Sequence, residues 1–516
     1  MSVSRAGAAD ARDVRVVAKG GAVQVAGQLT QGVVAFLFVS VIVRLLGTAE
    51  YGLFRQVAQV LAIAGQTGLV GFNYSAMRFI AKARASGDPG GVRGAAWVAV
   101  TGTLIASVLV FAILQLGAEA IARRFAETDD SVRELAALVR TGALFVPLFA
   151  LTQVMRYCTQ AYKTMVPSVI VGNIVQPLTR AAAATGLILL GLGVRGAVLG
   201  HVVAAAVALG VAIVLFRRMV TDIERAAPLR TQPGPMARFA LLQGGASLLG
   251  VQTLGLSVLI LGAYGTDRDV GLLGIALALQ TPGTLFLGGV VNIWAPVVTD
   301  LYERGEIRRL ESLYRAITRW VVTFSFPVFA AMIILPDLFV DLLAGDRGQG
   351  AASLVVILAA GNLLYAGTGP TGFVLSMTGR PGVNFANSAI AVVLYVALGI
   401  WLVPRYGALG MAWVDAGVTA LINVVRVVEA KLLVGVHPFG WSLLKPVAAS
   451  IAGLVGVATV ILIVPAGTVG SLVALGGGGV LYLAVLRKLG LDPEERQVWD
   501  GLRRKMKSLR GDDATP

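Results

Sequence analysis

Apolar runs of about 20 residues follow one another along almost the whole chain, each long enough to cross a hydrocarbon layer of ~30 Å. That pattern leaves little choice of fold. In hydrocarbon the backbone N–H and C=O groups must be satisfied within the protein, and a helix does so within one segment. Only short polar breaks separate the runs, and none is long enough to form a separate soluble domain. Of the 516 residues, 56% are hydrophobic and 14% charged, against about 25% charged in soluble domains. The expected class is an all-α polytopic membrane protein.

Composition narrows the chemistry as well. The single cysteine, Cys158, cannot form an intrachain disulfide, and the two histidines, His201 and His437, lie far apart in sequence. A Cys/His metal site is therefore not expected. No GxxxxGK[ST] phosphate loop is present, so neither an intrinsic ATPase nor a cofactor is expected. The first 20 residues are polar, and the apolar run after them is too long for a signal-peptide core; it reads as a retained helix.

Hydropathy divides the chain into about fourteen spans, near 21–43, 53–80, 94–116, 135–157, 168–192, 196–216, 239–262, 270–297, 314–335, 351–377, 384–403, 408–430, 443–464 and 470–486. An even number puts both termini on one side. Thirty-two of the 43 Lys and Arg fall in the N-tail, the C-tail and the loops on that same side. The positive-inside rule makes that side cytoplasmic. The loop near 117–134 is an exception, with Arg123, Arg124 and Arg133 among acids. The net charge of +15 is thus a topology signal and not a nucleic-acid footprint. The tail GLRRKMKSLR could also hold anionic lipid at the inner surface.

An internal repeat is legible. LGTAEYGLFR aligns with GTDRDVGLLG when Gly52 is set on Gly271, an offset of 219 that also pairs Gln24 with Gln243, Gln28 with Ser247, and Asn73 with Asn292. Thr164, Pro167, Val169 and Asn173 match Thr378, Pro381, Val383 and Asn387 at an offset of 214, and RGAVLG at Arg195 resembles YGALG at Tyr406. Spans 1–6 and 7–12 therefore read as two copies of one unit. Each copy enters from the cytoplasm, which is the parallel-repeat plan of a transporter. The expected organisation is a cytoplasmic tail 1–20, a first lobe 21–216, a linker 217–238, a second lobe 239–432, two extra C-terminal spans within 443–486, and a basic tail 487–516.

RLLGTAEYGLF after the first span, TxxPxxxxxN entering the fifth, GAVLG opening the sixth and the twelve-plus-two plan together resemble the polysaccharide and oligosaccharide lipid flippases (Wzx-like proteins). These belong to the multidrug/oligosaccharidyl-lipid/polysaccharide exporter superfamily. The resemblance implies two six-helix lobes facing a central cavity, with spans 1, 2, 7 and 8 at the seam. It also implies export of an undecaprenyl-type lipid-linked glycan to the outer leaflet without ATP hydrolysis. Membrane lipids and other polysaccharide-assembly proteins are its implied partners; nucleic acid is not one.

Spacing gives a compatible picture. Gln24, Gln28 and Gln31 form one stripe of span 1, and Gln243 with Ser247 repeats its phase in span 7. Arg55, Gln59, Gln66 and Asn73 share a face of span 2, and Asn173, Gln176 and Arg180 share one in span 5. Polar side chains in hydrocarbon must pair or face water, so stripes of this length suggest a hydrated pathway that includes Asn292 of span 8. Interhelical hydrogen bonds worth ~1 kcal/mol each are the plainer use of such residues. The arginines do not recur: Arg55 falls opposite Gly274, Arg180 opposite Leu394, and Arg140 opposite an apolar stretch. Arg180, in mid-span, cannot snorkel, whereas Arg140 near the outer end can.

The resulting expectation is a flippase for an anionic lipid-linked oligosaccharide, with Arg180, Arg55 and Arg140 on the pyrophosphate. The alternative is a cation-coupled multidrug (MATE-like) exporter, for which Asp415 in span 12 is the candidate ion-coupling acid. A membrane glycan polymerase would need a larger outer domain, so no enzyme is expected. In the hairpin Val43–Phe54, Gly47 and Gly52 are expected to form the tight outer turn, and Tyr51 suits the headgroup belt.

Overall fold

The computed structural model describes residues 2–126, 128–464 and 467–490. All regular structure among them is helical, as the apolar pattern requires. Nine stretches among the described residues are long and apolar enough to cross a membrane, and two of these, Val166–Met219 and Gly382–Val434, have 54 and 53 residues. At 1.5 Å per residue such lengths suffice for two crossings. Each is broken by a glycine in a conformation closed to other residues: Gly193 at φ 51, ψ −135 and Gly407 at φ 54, ψ −134. A residue with a Cβ is excluded from this region. The two positions stand 214 residues apart, the offset at which the sequence repeats. The chain is a multi-pass all-helical membrane protein; the number fourteen is not fixed by these stretches.

Contacts group the chain into two units. The first comprises Met1–Thr281, Val340–Leu354 and Ser388–Val418. Within it the helices Thr48–Leu69 and Asp267–Glu303 begin side by side. A Cβ on Gly52 would strike the Asp267 carbonyl oxygen, and a Cβ on Gly271 would strike the Thr48 carbonyl oxygen. Both pairs of partners obey the offset of 219, so the contact is reciprocal. Gly47 does form the turn, at φ 89, but Gly52 lies inside the helix. Its role is close approach, not the turn expected of it.

The span expected at 53–80 is not one straight helix. It breaks after Leu69, where Val70 and Gly71 take φ values of 49 and 88. A β-branched residue in this region is strained, and Gly71 packs on the Ala240 carbonyl and on Gly244. Asn73 therefore sits on a second helix, Phe72–Ala85, beyond the kink.

The second unit comprises Pro282–Phe339, Val355–Asn387 and Thr419–Pro516. In it the helices Leu444–Ile463 and Thr468–Leu489 pack on one another. They also pack against Ile307–Ile334, where the Tyr482 hydroxyl donates to the Thr323 carbonyl at 2.5 Å. Leu335, Leu338, Val457 and Ala474 form the apolar cluster beside them.

The seam generates a stability test. Gly52→Ala and Gly271→Ala each force a methyl against a carbonyl oxygen, and overpacking costs about 1–3 kcal/mol. Each should lower the midpoint of thermal unfolding of the purified protein. Gly117→Ala, whose added Cβ meets nothing within 4 Å, should leave it unchanged or raise it. Equal behaviour of the three variants would remove the close-approach argument.

Candidate functional site

Arg55 lies within electrostatic reach of Arg180 in the first unit, and no ion pair to either is found among the described residues. Arg55 lies two turns into the helix Thr48–Leu69, and Arg180 lies on Gln176–Leu187. The latter follows a π-helical stretch, Ile170–Val175, a local widening that often marks a functional site. The Arg180 guanidinium stands 4.8 Å over the ring of Phe38. The Nε atoms of both arginines are fully buried and have no hydrogen-bond partner among the described residues.

The surroundings are aromatic. His201, on the helix Gly193–Met219, packs at 5.2 Å from Phe54, 6.0 Å from Phe145 and 6.3 Å from Phe38. Tyr51 is 1% exposed and its ring lies 6.3 Å from Phe54. It belongs to the core, not to the headgroup belt expected from sequence. Gly274 makes room for this cluster, since a Cβ there would lie 3.0 Å from the Tyr51 ring and 3.4 Å from Arg55. The repeat thus places a glycine where the first copy has its arginine, and the two touch.

The other expected residues are dispersed. The Asn173 amide donates to Gln31 Oε1 at 2.7 Å, joining spans 5 and 1. Asn73 is buried beside the Tyr157 hydroxyl. Gln59 covers Gly255, while Gln24, Gln28, Gln66 and Gln176 are half-buried. Arg140 is exposed at the end of Asp129–Gly142 and exchanges hydrogen bonds with the backbone and side chain of Gln115. The structure does not bring it to Arg180. The side chains of Gln243, Ser247 and Asn292 lie outside the described residues. Asp415 accepts a hydrogen bond of 2.9 Å from the Tyr395 hydroxyl, and it stands 214 residues after His201. The two copies thus carry an imidazole and a carboxylate at matching places.

Two participants escaped the sequence reading. Gln56 donates to Asp267 Oδ1 at 2.6 Å, beside the glycine seam. Burial raises the Asp267 carboxyl pKa above its usual range, and the bond from Gln56 opposes the shift. Arg156 donates from Nε to the Ser168 carbonyl at 3.0 Å and from one terminal nitrogen to Gln153 Oε1 at 2.8 Å. Its partners are neutral. The spacing of Gln153, Arg156 and Gln160 at i, i+3 and i+7 was the available signal.

Residues 17–301 match a protein family described as polysaccharide biosynthesis protein. A sequence search of curated proteins gave no match. Among solved structures, a lipid II flippase MurJ in an inward closed conformation superposes with a TM-score of 0.73 at 10% identity, over 89% of this chain and 96% of that one. An inward-facing multidrug resistance MATE family transporter of the MOP superfamily gives 0.63 at 13% identity, over 80% and 98%. A MOP superfamily transporter from Pyrococcus furiosus, described as having a binding pocket of reverse polarity, gives 0.58 at 16%, over 82% and 96%. These likenesses establish the fold.

The arginine cluster makes a prediction of its own. A largely desolvated charge with no opposite charge beside it is costly, and replacing it by an apolar side chain of similar length is commonly neutral or stabilising. Arg180→Met should therefore unfold at the same or a higher temperature than the wild type when no ligand is added. A clear fall in the midpoint would mean that the guanidinium has a structural partner.

Proposed function

Because the chain belongs to the polysaccharide biosynthesis protein family, we propose that it translocates an anionic, undecaprenyl-type lipid-linked oligosaccharide from the inner to the outer leaflet. The product would feed cell-surface polysaccharide assembly. The observation that carries this reading is the pair Arg55 and Arg180, two half-buried cations whose Nε atoms are buried and have no partner among the described residues. A guanidinium in that setting selects an anion, and its planar fork suits phosphate oxygens. Amides such as those of Asn173, Gln31 and Gln176 suit sugar hydroxyls. Transport proceeds by alternating access of two lobes built from the repeat, in a cytoplasmic membrane with both termini inside, and without ATP hydrolysis. Energetics permit this: moving two negative charges outward across about 100 mV, inside negative, is favourable by roughly 4–5 kcal/mol.

The test is depletion and replacement in cells. Loss of the protein should cause inner-leaflet lipid-linked intermediates to accumulate. Arg180→Ala should fail to restore export although the protein inserts and folds, and Arg180→Lys should restore part of it, because charge survives while the fork is lost. Normal export by Arg180→Ala would sink the anion role.

A second reading has its own observation. Asp415 is bonded to a neutral tyrosine hydroxyl, so it remains able to take a proton or a cation, as a MATE-like exporter of cationic drugs would need. On that reading Asp415→Asn abolishes the pH or sodium dependence of transport. Transport with unchanged dependence would make Asp415 a structural acid tied to Tyr395.

A further inference from the structure

The cluster around Arg180 holds more than two guanidiniums. Four buried polar atoms in it lack a hydrogen-bond partner among the described residues: Arg55 Nε, Arg180 Nε, the Tyr51 hydroxyl and His201 Nδ1. They are neighbours. Tyr51 lies within electrostatic reach of both arginines, and so does His201. Phe38 and Phe54 form their shared wall, since Arg180 stands over Phe38 and both Tyr51 and His201 pack on Phe54.

The chemistry of the set is one-sided. Both arginine Nε groups can only donate, and a phenol donates its one proton readily. No carboxylate faces them among the described residues, and the walls are aromatic. Leaving a buried donor unsatisfied costs about 1–3 kcal/mol, more when it is charged. An apolar role for Tyr51 would be served equally by phenylalanine, which carries no hydroxyl to strand. Three donors around one locus, two of them cationic, suit a ligand that has several acceptor oxygens and negative charge.

We propose that Tyr51 is a specificity-determining residue of the anion site, its hydroxyl donating a hydrogen bond to a phosphoryl oxygen held by Arg55 and Arg180. The inference rests on the anion reading above and adds a neutral donor to it. Its consequence is discrimination. A diphosphate has enough oxygens to engage both guanidiniums and the phenol together, whereas a monophosphate or a carboxylate has fewer. Gly274 is part of the arrangement, because it leaves the Tyr51 ring and the Arg55 side chain the space to lie side by side. His201 lies on the same wall, and its Nδ1, without a partner among the described residues, can serve the same ligand.

The experiment uses the full chain in lipid nanodiscs and farnesyl diphosphate as a short-chain probe, with farnesyl monophosphate and farnesol for comparison. Wild type should bind the diphosphate in preference to the other two. Tyr51→Phe should weaken diphosphate binding about tenfold or more, the loss of one hydrogen bond to a charged group, and leave farnesol unaffected. It should also unfold at the same or a higher temperature than wild type without ligand, because no stranded hydroxyl remains. Arg180→Ala should abolish the preference for diphosphate. Unchanged diphosphate binding by Tyr51→Phe overturns the role of Tyr51 while leaving the arginines in place. A lowered unfolding temperature of ligand-free Tyr51→Phe also overturns it, since the hydroxyl would then have a structural partner. Diphosphate binding that survives Arg180→Ala would instead sink the anion site as a whole.

Discussion

Everything near the site depends on how closely two helix starts approach each other. At Gly52 and Gly271 each helix leans on a backbone carbonyl of the other, Asp267 and Thr48. Van der Waals attraction and small-residue packing drive helix association where no hydrophobic gradient exists. One turn further in, the same approach carries Arg55 against Gly274, and with it the Tyr51 ring. Had either glycine a side chain, the arginine would be held away from the neighbouring helix. The polar bond from Gln56 to Asp267 sits on the same seam and fixes its register.

The sequence offsets describe the frame as two related halves, and the halves differ at their charged residues. A repeated unit repeats its backbone solutions, as Gly193 and Gly407 do with nearly identical dihedrals. Polar side chains in hydrocarbon are expensive whichever copy holds them, so each copy is free to lose those it does not need. The first keeps Arg55, Arg180 and His201; the second has Gly274, Leu394 and Asp415 at those places. The outcome is a cationic cluster in one copy and a tyrosine-bonded carboxylate in the other. A folding requirement shared by both copies would have produced the same residue twice.

The helical class and the many spans were legible in the sequence because both are periodic signals. Span 5 contains no acid, and among the described residues Arg180 Nε has no hydrogen-bond partner. Tyr51 was misplaced. Its neighbours Arg44 and Glu50 mark a water-facing hairpin, and nothing local reveals that the ring turns inward against Phe54. The stripe from Arg55 to Asn73 was drawn on a straight helix, but the left-handed Val70 interrupts it. A valine gives no warning of that conformation, which tertiary contact at Gly71 imposes. Arg140 and Arg180 were grouped on one ligand although their depths already differed, and the exposed helix end at Arg140 separates them. Arg156 was overlooked because its position near a span terminus suggested a topology signal, although its partners are all neutral.

Two arginines in one apolar enclosure raise the energy of the ligand-free site by mutual repulsion, and an anion between them relieves it. A carrier cannot let that relief grow without limit, because a site that binds too well does not release. The membrane potential offers a partial answer. For a dianion moving outward it supplies roughly 4–5 kcal/mol, equivalent to about three decades in an equilibrium constant. If the proposed export of a dianion holds, such a site can bind its ligand firmly on the cytoplasmic side and still discharge it outside without a second energy source. Recognition through neutral donors works in the same direction. A phenol hydroxyl selects for oxygen geometry while adding no further positive charge for the departing anion to escape. A cation-rich cluster with few neutral donors would bind more tightly but choose less well. On the proposed anion reading, Arg55, Arg180 and Tyr51 divide the task, with charge giving affinity and the hydroxyl giving selection.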